Sequence, residues 1–178
     1  PGLTYEALQG ARLDWARVIV TLSDERCVEE SSPDSNARQV RERLLQGEAA
    51  KAHFLPLWPQ PEPAALQAML PFDAVLLGMG EDGHIASLIP GSAALAEGLD
   101  PAAESLLLPV EAGLGSPPLP RVTLTLAALL QARAIFLLIA GEAKRQVIAR
   151  AEAGEDFPVR ALLSQNQVPV RVLWAPTH

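Results

Sequence analysis

Continuous apolar runs, not alternating ones, carry the strand signal in this chain. Ala74-Val75-Leu76-Leu77, Ile135-Phe136-Leu137-Leu138-Ile139-Ala140 and Val170-Arg171-Val172-Leu173-Trp174 are the clearest. The β-branched run Val18–Leu22 and the segment Ser105–Val110 predict two more strands. His53–Leu57 predicts only a short edge strand, because Pro56 cannot donate to a ladder. Helices are predicted between them, over Thr4–Leu8, Ala64–Leu70, Leu126–Ala132 and Glu142–Ala153. A further helix, Ala37–Leu45, follows the start signal Pro33-Asp34-Ser35-Asn36 and carries Val40, Leu44 and Leu45 on its apolar side. Ser23–Cys27 reads as a charged connection, Gly113–Pro120 as a loop, and Arg121–Thr125 as a lead into the helix at Leu126. Strands that are apolar throughout suit a parallel sheet covered on both faces. The pattern therefore predicts an α/β fold: a doubly wound, mainly parallel, Rossmann-like sheet with helices on both faces, in one domain.

Composition narrows the setting. The 178 residues carry a formal net charge of −7, which argues against nucleic acid or an anionic membrane as the main partner. An acidic chain that binds an anion must concentrate its few cations in one place, so each Arg or Lys beside a loop merits attention. Cys27 is the single cysteine, which excludes an internal disulfide and favours a reducing, cytoplasmic environment. The longest apolar runs are too short to span a bilayer as a helix. The 16 prolines, about twice the usual share, fall mostly in connections.

The chemistry concentrates after Leu77, in Gly78-Met79-Gly80-Glu81-Asp82-Gly83-His84-Ile85-Ala86-Ser87. Open α/β sheets place ligands at the carboxyl ends of their strands. Asp82 and His84 on such a turn read as acid–base equipment: neutral imidazole takes a proton from water, and a carboxylate fixes its tautomer. The competing reading is a loop histidine that satisfies a backbone carbonyl. Gly80 and Gly83 are read as backbone positions that close around a small ligand. Gly78, Gly80 and Gly83 also match the dinucleotide fingerprint, but Glu81 and Asp82 would oppose a pyrophosphate and Pro90 limits a following helix. Asp24-Glu25-Arg26 would reach the same edge; Arg26 reads equally as a phosphate clamp or a solvated charge. Arg121 and Lys144 are further candidate anion ligands. One Cys and three His offer no metal set, and no G-x-S-x-G surrounds Ser87.

Together these segments resemble the 6-phosphogluconolactonase family, hydrolases of the oxidative pentose phosphate pathway. The resemblance is carried in order by Leu13–Val18, Ser23-Asp24-Glu25-Arg26, Asp34-Ser35-Asn36, Leu77–Leu88, Arg121–Thr125 and Ala140-Gly141-Glu142-Ala143-Lys144. It implies a fold of the sugar-phosphate isomerase type, 6-phospho-D-glucono-1,5-lactone as substrate, and no cofactor. The proposed base of the family falls on His84 and its substrate-contacting Asp and Arg on Asp24 and Arg26; Arg121 and Lys144 match its further basic positions. Cys27 stands where an aromatic residue is common. The Gly-Gly-Ser/Thr-Pro loop of the family would end at Pro1, so residues 1–178 are expected to form a single lactonase domain lacking the family's N-terminal strand unit. Oligomeric state is left open.

The expected chemistry is lactone hydrolysis by water activated at His84, with Asp82 orienting the ring and N–H groups of the Gly80–Gly83 turn stabilising the oxyanion. Two alternatives stand beside it. A glucosamine-6-phosphate deaminase/isomerase would share Gly83-His84-Ile85-Ala86 but continue with Phe-Asn-Glu-Pro, where this chain has Ser87-Leu88-Ile89-Pro90. A non-catalytic sugar-phosphate-binding module would hold its ligand without turnover.

Overall fold

The computed structural model describes residues 2–176; Pro1, from which the missing strand unit was inferred, and His178 lie outside them. In chain order the elements are α1 (Gly2–Gln9), β1 (Ile19–Val20), β2 (Asp24–Arg26), α2 (Asn36–Arg43), β3 (His53–Phe54), α3 (Pro63–Gln67) and β4 (Val75–Leu77). They continue with α4 (Leu95–Gly98), β5 (Leu107–Val110), β6 (Arg121–Leu124), α5 (Leu126–Leu129), β7 (Ile135–Ala140), α6 (Glu142–Glu152), α7 (Pro158–Ser164) and β8 (Val170–Ala175).

The parallel strands form two sets, β1-β3 and β4-β7-β8. β5 and β6, which lie between β4 and β7 in the chain, join the earlier β2 in a third, antiparallel sheet of order β2-β6-β5. This corrects two expectations. Ser23–Cys27 is not simply a connection, because Asp24–Arg26 pairs as a strand. Arg121 does not merely lead into a helix; it opens β6, every residue of which is buried. Charge hid both, since strand patterns are recognised by apolar side chains and here polar side chains face an interior cluster.

Ile135, Leu137 and Ile139 of β7 point into the main core with Leu77, Leu129, Val159 and Leu162. The opposite face of that sheet is only partly covered, with Leu76 38% and Leu173 49% exposed. Helix α6 buries Val147, Ile148 and Ala151 at helical spacing, with Glu142 in its first turn and Arg150 in its last, both matched to the helix dipole. Helix α2 starts at Ser35, whose hydroxyl accepts from the Arg38 N–H at 3.2 Å. Helix α7 begins on Pro158, a residue well suited to a first helical position. Among the described residues no helix is long and apolar enough to cross a membrane, and no cluster of His, Cys, Asp and Glu could hold a metal ion.

Candidate active site

Strands β4 and β7 are adjacent and parallel, with Leu77 opposite Leu137, so the loop after β4 and the start of α6 after β7 share one sheet edge. That places the His84 loop and Lys144, half-buried in the first turn of α6, at the same end of the sheet.

The loop is held by its own backbone. Gly80 N–H donates to the His84 carbonyl at 2.9 Å, and Gly83 N–H donates to the Gly80 carbonyl at 3.1 Å. A side chain at Gly80 would collide with the His84 ring and the Asp82 carboxylate. Gly83 has φ +77, and a side chain there would meet Phe157 at 2.8 Å. Its carbonyl accepts from the Val159 N–H at 2.9 Å, so the first turn of α7 braces the loop. Gly80 and Gly83 thus make room for protein side chains, and their N–H groups are engaged inside the turn. Of the Gly80–Gly83 turn expected to stabilise an oxyanion, the Gly80 and Gly83 amides are therefore already engaged by the loop's own carbonyls.

The room left at Gly80 is filled by a paired acid and imidazole. His84 Nδ1 lies 2.6 Å from Asp82 Oδ1, and the same oxygen accepts from the His84 backbone N–H at 3.2 Å. A carboxylate can only accept, so the contact selects, for the neutral ring, the tautomer with the proton on Nδ1 and the lone pair on Nε2. The His84 side chain retains 25% of its exposure, enough for water to reach it.

A second cluster lies on the antiparallel sheet. Asp24 stands opposite Thr123 and Arg26 opposite Arg121. Asp24 Oδ2 accepts from the Ser87 hydroxyl at 2.6 Å, which joins this sheet to the His84 loop. Arg121 is 4% exposed; its Nη1 donates to Ser87 Oγ at 3.3 Å and its Nη2 to the Pro117 carbonyl at 2.9 Å. Burial lowers the Arg121 pKa from its ordinary value, the positive charge of Arg26 adds to this, and Asp24 opposes both. Arg26 Nη1 donates to the Asp34 carbonyl at 2.7 Å and to Asn36 Oδ1 at 3.1 Å. The Nε atoms of both arginines are buried without a partner.

Glu25, between these residues, points the other way. Its buried carboxylate accepts from the N–H groups of Asn36 at 2.8 Å and Ala37 at 2.7 Å and from the Ser35 hydroxyl at 3.1 Å. It pins the start of α2, whose Asn36 also donates from Nδ2 to the Asp24 carbonyl at 3.0 Å. By sequence alone Glu25 is one charge in a run, and Ser87 lacks the glycines of a nucleophile elbow. The strand alternation of Asp24-Glu25-Arg26, one carboxylate turned in between two flanking polar groups, was the available signal for Glu25.

The sequence profile described as glucosamine-6-phosphate isomerases/6-phosphogluconolactonase matches residues 1–174. The chain is 45% identical to the 6-phosphogluconolactonase of Mesorhizobium japonicum, over 99% of this chain and 78% of the relative. It is 41% identical to that of Caulobacter vibrioides, over 98% and 79% respectively. The crystal structure of a 6-phosphogluconolactonase from Shewanella baltica superposes with a TM-score of 0.88 at 35% identity, covering 99% of this chain and 79% of that one. Matches of this extent, in family profile, sequence and fold together, establish that the chain belongs to the glucosamine-6-phosphate isomerase/6-phosphogluconolactonase family.

Proposed function

We propose that this chain hydrolyses 6-phospho-D-glucono-1,5-lactone to 6-phosphogluconate, the lactonase step of the oxidative pentose phosphate pathway, with His84 as the general base. The observation that carries the residue roles is the 2.6 Å Asp82–His84 contact on the loop that Ser87 ties to Asp24. Asp82 holds the Nδ1–H tautomer, so Nε2 removes a proton from water as its oxygen attacks the lactone carbonyl carbon. The tetrahedral adduct collapses with cleavage of the bond to the ring oxygen, which takes the proton back from the imidazolium. Water is consumed, one ester bond is broken, and His84 returns to its neutral form. No cofactor enters this scheme.

Asp24 accepts from a sugar hydroxyl in this reading: its carboxylate is partly exposed, Ser87 holds Oδ2, and Oδ1 carries only a 3.3 Å bond from the Ser23 hydroxyl. Arg26 and Lys144 supply positive charge for the phosphate, and Arg121 contributes from inside the cluster. A cytoplasmic setting belongs to the same reading, on the strength of the single cysteine. The deaminase alternative is disfavoured by Ile89, a buried apolar residue where that group's motif carries a carboxylate.

The test is acid release from freshly generated lactone by the full chain, beside His84→Ala. A loss of about 10²–10⁴-fold in turnover is expected for general-base catalysis. Turnover within two-fold of the parent, with folding intact, removes His84 from the chemistry. Binding without any rate above background points to the non-catalytic module, and ammonia release from glucosamine 6-phosphate to the deaminase.

A further inference from the structure

Ser87 is fully buried, lies three residues beyond His84, and takes no chemical step in the scheme above. Its hydroxyl donates to Asp24 Oδ2 at 2.6 Å and accepts from Arg121 Nη1 at 3.3 Å. The direct Arg121–Asp24 separation is 3.9 Å, too long for a hydrogen bond. The serine oxygen therefore bridges the guanidinium and the carboxylate, and a short bond to a charged acceptor is among the stronger kinds.

The direction of that hydroxyl is set by the backbone around it. Leu88 N–H donates to the Ile85 carbonyl at 2.9 Å, closing a turn whose two end residues are both buried core. Ala86 takes φ +49 inside this turn, a conformation few non-glycine residues adopt. Ser87 N–H then donates to Thr123 Oγ1 at 3.1 Å, and Thr123 is the cross-strand partner of Asp24. Backbone and side chain of Ser87 thus attach one loop to one strand pair at two points. A left-handed alanine between two buried anchors is the kind of local strain that persists only where the surroundings impose it.

We propose that Ser87 is a positioning residue for substrate binding: it sets the carboxylate of Asp24 and fixes its distance from the His84 loop. This rests on the reading of Asp24 as a substrate contact. Arg121 has the complementary part, neutralising Asp24 through the serine oxygen while remaining out of solvent. Removing the hydroxyl leaves Asp24 chemically intact but held only by the longer 3.3 Å bond from the Ser23 hydroxyl to Oδ1, so ground-state and transition-state contacts weaken together. That raises KM with little change in kcat.

The test is a double-mutant cycle in the full chain with Ser87→Ala, Asp24→Ala and the pair, with KM, kcat and thermal midpoint measured for each. Ser87→Ala is expected to raise KM about tenfold, which corresponds to about 1.4 kcal/mol. In the Asp24→Ala background the same change should alter KM by less than about twofold, because nothing remains to be positioned. Losses that multiply in the double variant, or a lowered midpoint with unchanged KM, overturn the inference while leaving the proposed function standing. An unchanged KM for Asp24→Ala alone overturns the substrate contact itself, and this inference with it. If Ser87→Ala does not fold, Ser87→Cys offers a weaker donor at the same place, and the same ratio between the two backgrounds decides the matter.

Discussion

Arg26 and Arg121 stand directly opposite each other across the antiparallel pair β2–β6. Like charges in that relationship oppose folding, and Asp24, 3.9 Å from Arg121, is the nearby carboxylate that offsets them. The two arginines are unequal. Arg121 is enclosed with both of its Nη atoms donating to protein, whereas Arg26 is half-buried and anchored through Nη1.

This inequality separates their variants. Arg26→Ala should raise KM for the phosphorylated lactone at least tenfold with a small change in thermal midpoint. Arg121→Ala removes one partner of a buried charge network and should destabilise the fold by about 3 kcal/mol. Steady-state kinetics beside thermal melts check both; a KM effect confined to Arg121→Ala would reverse the assignment.

Gly80 borders the base. Its hypothetical side chain overlaps the His84 ring and Asp82, so Gly80→Ala must push the imidazole away from its carboxylate. Turnover should fall by roughly 10²-fold, since a displacement of about 1 Å is enough for that. Asp82→Asn tests the same contact chemically and should also depress kcat more than it changes KM. Parent-like kcat in both variants would mean that the Asp82–His84 contact is not needed.

Glu25 acts on stability. Its carboxylate, 1% exposed, receives two helix N–H groups, the Arg26 N–H and a hydroxyl. Glu25→Ala leaves these donors buried without an acceptor, each costing about 1–3 kcal/mol. The expected loss is about 3 kcal/mol or more, read from chemical denaturation. A loss below about 1 kcal/mol would show that solvent or another acceptor replaces the carboxylate.

Cys27 should be a slow thiol. Burial raises its pKa above the ordinary value, and the negative charge of Glu25 raises it further. The thiolate is the reactive form, so at pH 8 alkylation should be slower than for a free cysteine. The rate should keep climbing with pH beyond the point where a free thiol levels off. Alkylation at the free-cysteine rate at pH 8 contradicts the shift.

The main parallel strands and the longest helix were legible because their signals are local. Ile135–Ala140 and Glu142–Ala153 emerged within a residue of the observed bounds, as an apolar run followed by a glycine and a helical repeat. The loop after Leu77 was recognisable from its glycines and from the acid and imidazole two residues apart, yet the reason for Gly80 was misread. The glycine clears space for the His84 ring, a fact about where a neighbouring side chain lies. The antiparallel sheet was missed because β2 and β6 carry Asp24, Glu25, Arg26 and Arg121 where a strand normally shows apolar residues.

The residue order alone therefore determined the fold class, the strand-end loop and its Asp82–His84 pair, all of which depend on neighbours a few positions apart. Tertiary structure decided which distant groups meet: Ser87 with Asp24 across 63 residues, and Arg26 with Arg121 across a strand pair. The physical reason is register. A slip of one residue between β2 and β6 would turn their side chains to the opposite face, and no short stretch of sequence contains the packing that forbids it.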